Sequence, residues 1–154
     1  MKKTLTIVLI SGLVAAPAAF ARGSFEDAER MMQVGSDYGI THFQSIEFDD
    51  DRADDIEIEG WMGQDWFVEL DLNGNGDIER EQRRKPKGNS YGLTAQEVQV
   101  FLDAARGQGM ETIEELKIKR NGDIEVEGND DSGRELEVDF RTGSLEPVKV
   151  ERDD

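Results

Sequence analysis

The strongest constraint on the fold is that the chain repeats itself. "SFEDAERMMQVGSDYGITHFQSIEF", starting at Ser24, aligns with "TAQEVQVFLDAARGQGMETIEELKI", starting at Thr94, at an offset of 70 residues. Each stretch opens with a hydroxyl residue and places an acid three positions later, Ser24 with Asp27 and Thr94 with Glu97. That is the pattern of a capping box, in which side chain and backbone satisfy each other's free N–H groups at a helix start. Ala28, Met31, Met32 and Gly35 then match Val98, Phe101, Leu102 and Ala105, one apolar helical face per copy. Gly39 and Gly109 supply the glycine that ends a helix. Ile40, Phe43, Ile46 and Phe48 are followed at the same offset by Met110, Ile113, Leu116 and Ile118.

Beyond a hairpin two residues longer in the first copy, the offset becomes 68: "DIEIEG" at Asp55 matches "DIEVEG" at Asp123, and "VELD" at Val68 matches "LEVD" at Leu136. Apolar and acidic residues alternate, which is strand periodicity with one wet face. Asn121-Gly122 is a two-residue hairpin signal. Each copy reads helix, strand, hairpin, strand, turn, strand, turn, short strand. The predicted class is α+β: two tandem repeats, each one helix packed on a small antiparallel sheet. Residues 22–79 form the first repeat and 93–154 the second. Residues 80–92, with Pro86, two glycines and a run of basic residues, read as an exposed basic linker.

The first 21 residues read as a secretory signal peptide: Lys2 and Lys3, an apolar run from Leu5 to Val14, and an Ala19-Phe20-Ala21 cleavage site. The run is too short for a transmembrane helix, so no membrane insertion is expected. The mature chain is expected in a bacterial periplasm or the medium. The full chain carries a net charge of −17, and the leader holds none of the acids. That charge argues against nucleic acid and anionic lipid as partners and admits basic proteins, polycations or divalent cations. It also serves solubility. With no cysteine, neither a disulfide framework nor thiol chemistry is available.

"DLNGNGDIEREQ", Asp71 to Gln82, carries Asp71, Asn73, Asn75 and Gly76 at the spacing of an EF-hand calcium loop. Position twelve is Gln82 where a bidentate glutamate belongs, and "WFVEL" before the loop reads as strand rather than helix. The second copy makes its turn with Arg141 and Thr142 where ligands would stand, so a strand-turn-strand accounts for the pattern. A calcium site using Asp71, Asn73, Asn75, Asp77 and Glu81 remains the alternative; otherwise no cofactor is expected. The Asp49–Asp55 stretch, rich in aspartate, reads as a solvated turn or a weak divalent-ion site.

The capped helix, the "I-E-I-E" strand, Trp66-Phe67-Val68-Glu69-Leu70-Asp71 and the ending Val138-Asp139-Phe140-Arg141-Thr142-Gly143-Ser144-Leu145 resemble the PepSY domain family, in two tandem copies. That resemblance implies a non-catalytic binding module of exported bacterial proteins, with a peptidase of the cell envelope as a partner it modulates or inhibits. No enzyme is expected: His42 is the only histidine, and no nucleophile motif or phosphate-binding loop is present. Strand parity puts Trp61 and Phe67 on the acidic face, where the second copy has Asn129 and Glu135. Together with Met62 they are the candidate protein-binding residues, an exposed aromatic anchor in an acidic rim. The alternative is that they pack against the second repeat or beneath the linker near Tyr91.

Overall fold

A computed structural model of the chain describes residues 23–49 and 55–153. The leader and residues 50–54 of the aspartate stretch lie outside the described residues. Two helices, α1 (Phe25–Tyr38) and α2 (Ala95–Gly107), alternate with two runs of four strands. The first run is β1 (His42–Phe48), β2 (Ile56–Met62), β3 (Trp66–Leu72) and β4 (Ile78–Arg84). The second is β5 (Met110–Ile118), β6 (Asp123–Asp130), β7 (Glu135–Arg141) and β8 (Ser144–Arg152).

All eight strands belong to one antiparallel sheet, in the order β4-β3-β2-β1-β5-β6-β7-β8. This corrects the expectation of two tandem helix-on-sheet units: the protein is mainly β, one sheet with two short helices on one face. The reason lies in β1 and β5. They pair Ser45 with Lys117, Ile46 with Leu116 and Glu47 with Glu115. Left as two sheets, each half would expose β1 or β5 as an edge with unpaired backbone groups; joining them removes two such edges. The helices cross the seam as well, α1 packing on β5 and β2, and α2 on β1 and β5.

Both helix starts carry the full reciprocal cap, with Asp27 N–H donating to Ser24 Oγ at 3.0 Å and Glu97 N–H to Thr94 Oγ1 at 3.3 Å. The buried helix positions are Ala28, Met31, Met32 and Gly35 plus Phe25 in α1, and Val98, Phe101, Leu102 and Ala105 in α2. They meet the apolar face of the sheet, where Ile46, Ile58, Leu70, Leu116, Ile124 and Val138 are essentially inaccessible. One apolar cluster runs through both halves. Gly128 is required by close approach: a Cβ there would lie 1.9 Å from the Thr112 carbonyl oxygen, beside the irregular register of β5.

The residues read as a linker are only partly one. Residues 80–84 extend β4, pairing Asp71 with Arg80 and Phe67 with Arg84. Arg80 bridges Asp71 at 2.8 Å and Glu69 at 3.3 Å on the acidic β3 and Arg84 covers Phe67, whereas Arg83 donates to the Tyr38 hydroxyl of α1 at 2.8 Å. The irregular connector is confined to residues 85–92.

Because the core is continuous across the seam, unfolding is expected to be a single transition. Ile46→Ala or Leu116→Ala should each cost about 2–5 kcal/mol without splitting it. Urea unfolding followed by tryptophan fluorescence, which reports the first half, and by far-UV circular dichroism checks this. Two separated transitions would contradict the fold.

Candidate functional site: an acidic sheet face

Strand alternation sends every second residue away from the helices, and in this chain those residues are mostly acids. Register lines them up across the strands. Asp71, Glu57, Glu47, Glu115, Glu127, Glu137 and Glu151 form one row from β3 to β8, with Arg80 of β4 at its end. A second row holds Glu69, Glu59, Ser45, Lys117, Glu125, Asp139 and Lys149. Like charges directly opposite on a sheet repel. The oxygens of Glu57, Glu69 and Asp71 lie within 4.8 Å of one another, and so do those of Glu115, Glu125 and Glu127 and of Glu125, Glu137 and Asp139. Such an array attracts positive charge.

Cations on the face are few and unevenly placed. Lys117 pairs with Glu115 and Lys119 with Glu125. Lys149 bridges Glu137 at 2.9 Å and also Glu151. Ser45 Oγ donates to Glu59 at 2.9 Å. Glu57 and Glu127 have no cation at ion-pair distance among the described residues. Partial burial, and then the surrounding carboxylates, push each of these two up to about 7. The same causes raise Glu47 and Asp139. At one end Asp49, Asp55, Glu57, Asp71 and Arg80 line a cleft of about 510 Å³.

The aromatic candidates are buried rather than exposed. Trp61 and Phe67 do lie on the acidic face, but they are 2 % and 4 % exposed. They meet edge to face at 5.5 Å, and the Arg84 guanidinium caps Phe67 at 4.5 Å. Trp61 Nε1 donates to Gln44 Oε1 at 3.3 Å, and the Gln44 amide donates to the Tyr91 hydroxyl. Met62 points to the helix side and packs against the core near Gly39. An exposed aromatic anchor is therefore corrected to an internal packing site that ties β2 and β3 to Arg84 of β4 and to the connector. Trp66, at 42 %, is the exposed aromatic, with the Lys85 ammonium 4.6 Å above its ring.

The loop residues do not converge on an ion. Asp71 faces Arg80 on the acidic face. Glu81 projects from the other side of β4, where it pairs with Arg83. Asn73 Oδ1 accepts the backbone N–H groups of Asn75 and Asp77, both at 3.0 Å, so its oxygen closes the turn. Gly76, at φ 86°, completes it. The stretch is a β3–β4 hairpin. His42 places Nδ1 3.1 Å from the Thr41 hydroxyl. Asp130 was not singled out in the sequence, yet it organises the β6–β7 turn, accepting from the Ser132 and Arg134 backbones at 2.9 and 3.0 Å and from Arg134 Nε at 3.0 Å. The only signal for it was an aspartate ahead of a glycine turn.

Among the described residues no helix is long and apolar enough to cross a membrane. No family model and no curated protein matches the chain. Among solved structures, the chain is similar to a crystal structure of a predicted lipoprotein from Clostridium difficile 630. The identity is 14 %, the TM-score 0.45, and the match covers 87 % of this chain and 95 % of that one.

The raised carboxylates set a pH dependence of stability. A glutamate held at about 7 in the folded protein, against 4.5 ordinarily, favours the folded state in its protonated form. That contribution is complete below 4.5 and is lost as pH rises through 7. The melting temperature should therefore climb as pH falls from mildly alkaline to about 5. Glu57→Gln with Glu127→Gln should raise it at alkaline pH and flatten the slope. Calorimetric melts across that range, parent against variant, decide it.

Proposed function

We propose that this is an exported, non-catalytic binding protein that docks a cationic protein surface on its open acidic sheet face. The single observation carrying this is the cross-strand row of seven carboxylates on the face the helices leave bare. A row of mutually repelling acids is a poor way to stabilise a sheet, and opposite charge from outside relieves it. β4 shows the arrangement on a small scale: Arg80 and Gln82 of the edge strand reach across to Asp71 and Glu69. The apparent signal peptide supports export, and the PepSY resemblance supports a peptidase of the cell envelope as the class of partner, held or modulated through this face. The inventory of side chains supports binding over chemistry, since the sequence has a single histidine, no cysteine and no nucleophile motif. The alternative of calcium in the 71–82 loop is weakened by geometry, because Asn73 is occupied by its own turn and Asp71 and Glu81 face opposite ways.

An oligoarginine peptide is the probe, titrated near 0.15 M salt, where screening acts over about 8 Å. Replacing Glu59, Glu69, Glu127 and Glu137 by glutamine should weaken binding about tenfold or more, at a few tenths of a kcal/mol per exposed pair. Replacing Glu26, Glu29, Asp37 and Asp103 on the helices removes the same charge and should change it little. Equal losses in both variants would reduce the face to nonspecific attraction and defeat the reading. Calcium and chelator arms separate a metal contribution: binding of calcium itself, abolished by Asp71→Ala, would return the loop to consideration.

A further inference from the structure

We propose that the carboxylate row is proton-coupled: Glu57 and Glu127, each flanked in the row by carboxylates of both neighbouring strands and paired with no cation among the described residues, hold protons in the free protein and release them when a cationic partner seats. This rests on the docking reading above and adds its regulation.

The geometry is that of groups surrounded by their own charge. Glu57 lies on β2, faced by Glu47 from β1, by Glu69 and Asp71 from β3 and by Glu59 on its own strand. Arg80 on β4, two strands along the row, is committed to Asp71 and Glu69. Glu127 lies on β6, faced by Glu115 from β5, by Glu137 and Glu135 from β7 and by Glu125 on its own strand. Lys117, Lys119 and Lys149 are committed to Glu115, Glu125 and Glu137 with Glu151. The two glutamates thus occupy corresponding inner strands, one in each half, in the same row. Partial burial removes the water that would otherwise stabilise their anions. Both sit at about 7, so near neutral pH each is protonated about half the time.

A guanidinium or ammonium brought against the row favours the anion. The carboxyl O–H bond then breaks, its electron pair stays on oxygen, and the proton passes to the buffer. Docking is therefore written as an exchange of protons for a cationic side chain. Its affinity rises with pH through the neutral range and levels off where the row is already ionised. In an exported protein this makes the face responsive to the acidity of its surroundings.

Calorimetric titration of the mature chain with oligoarginine, in buffers of different ionisation enthalpy, reads the exchange directly. About one proton should be released per complex at pH 7 and almost none at pH 9, with the Kd at pH 6 about a hundredfold weaker than at pH 8. Glu57→Gln with Glu127→Gln should bind a few-fold more weakly at pH 8 and lose the release. Carbon-detected NMR titration of the two carboxyls in the free protein should show midpoints near 7. Midpoints in the ordinary glutamate range, or binding with no buffer dependence at neutral pH, would overturn the coupling while leaving docking intact. No binding at any pH would overturn docking and the release together.

Discussion

The rest of the structure depends on the pairing of β1 with β5. A helix laid on four strands would leave its core open on one side. The backbone ladder through Ile46 and Leu116 turns two such halves into one eight-stranded sheet and lets each helix rest on strands of the other half. The same pairing sets Glu47 directly against Glu115. The interaction that completes the core is therefore also the one that makes the acidic row continuous.

Two faces of one sheet then carry opposite burdens. The helix side is dry, with a single apolar cluster extending through both halves. That burial supplies the favourable free energy that lets the other side hold like charges against one another. Where cations are available they are spent at the margins, at Arg80, Lys119 and Lys149, and at Lys117 on the seam. The interior glutamates of β2 and β6 are left among carboxylates, which with partial burial raises both above the ordinary glutamate range. Such a face suits the docking of positive charge proposed above.

Much of this was legible in the sequence where the cause was local. The capping boxes, the apolar helix faces, the Asn121-Gly122 turn and the parity of Trp61 and Phe67 all follow from neighbours in the chain. What escaped was set by contacts distant in sequence. Joining of the halves was hidden because β1 breaks its alternation at a register shift, where Ser45 and Ile46 are both buried. Burial of Trp61 and Phe67 near Tyr91 was legible as the alternative to an exposed anchor, and what escaped was the Arg84 cover on Phe67 and the Gln44 link from Trp61 to Tyr91. The acids were visible one by one, and their alignment across the strands needed the register. The calcium-like spacing in 71–82 is matched by the needs of a hairpin, since Asn and Gly serve both.

The central claim is that the bare acidic face is the working surface. The most direct measurement is an NMR chemical-shift map of the mature chain on titration with a basic peptide. The account predicts perturbations concentrated on the outward residues of β2, β1, β5, β6 and β7, with α1 and α2 silent on their outer surfaces. Shifts spread evenly over every acidic residue, or centred on the helices, would contradict it.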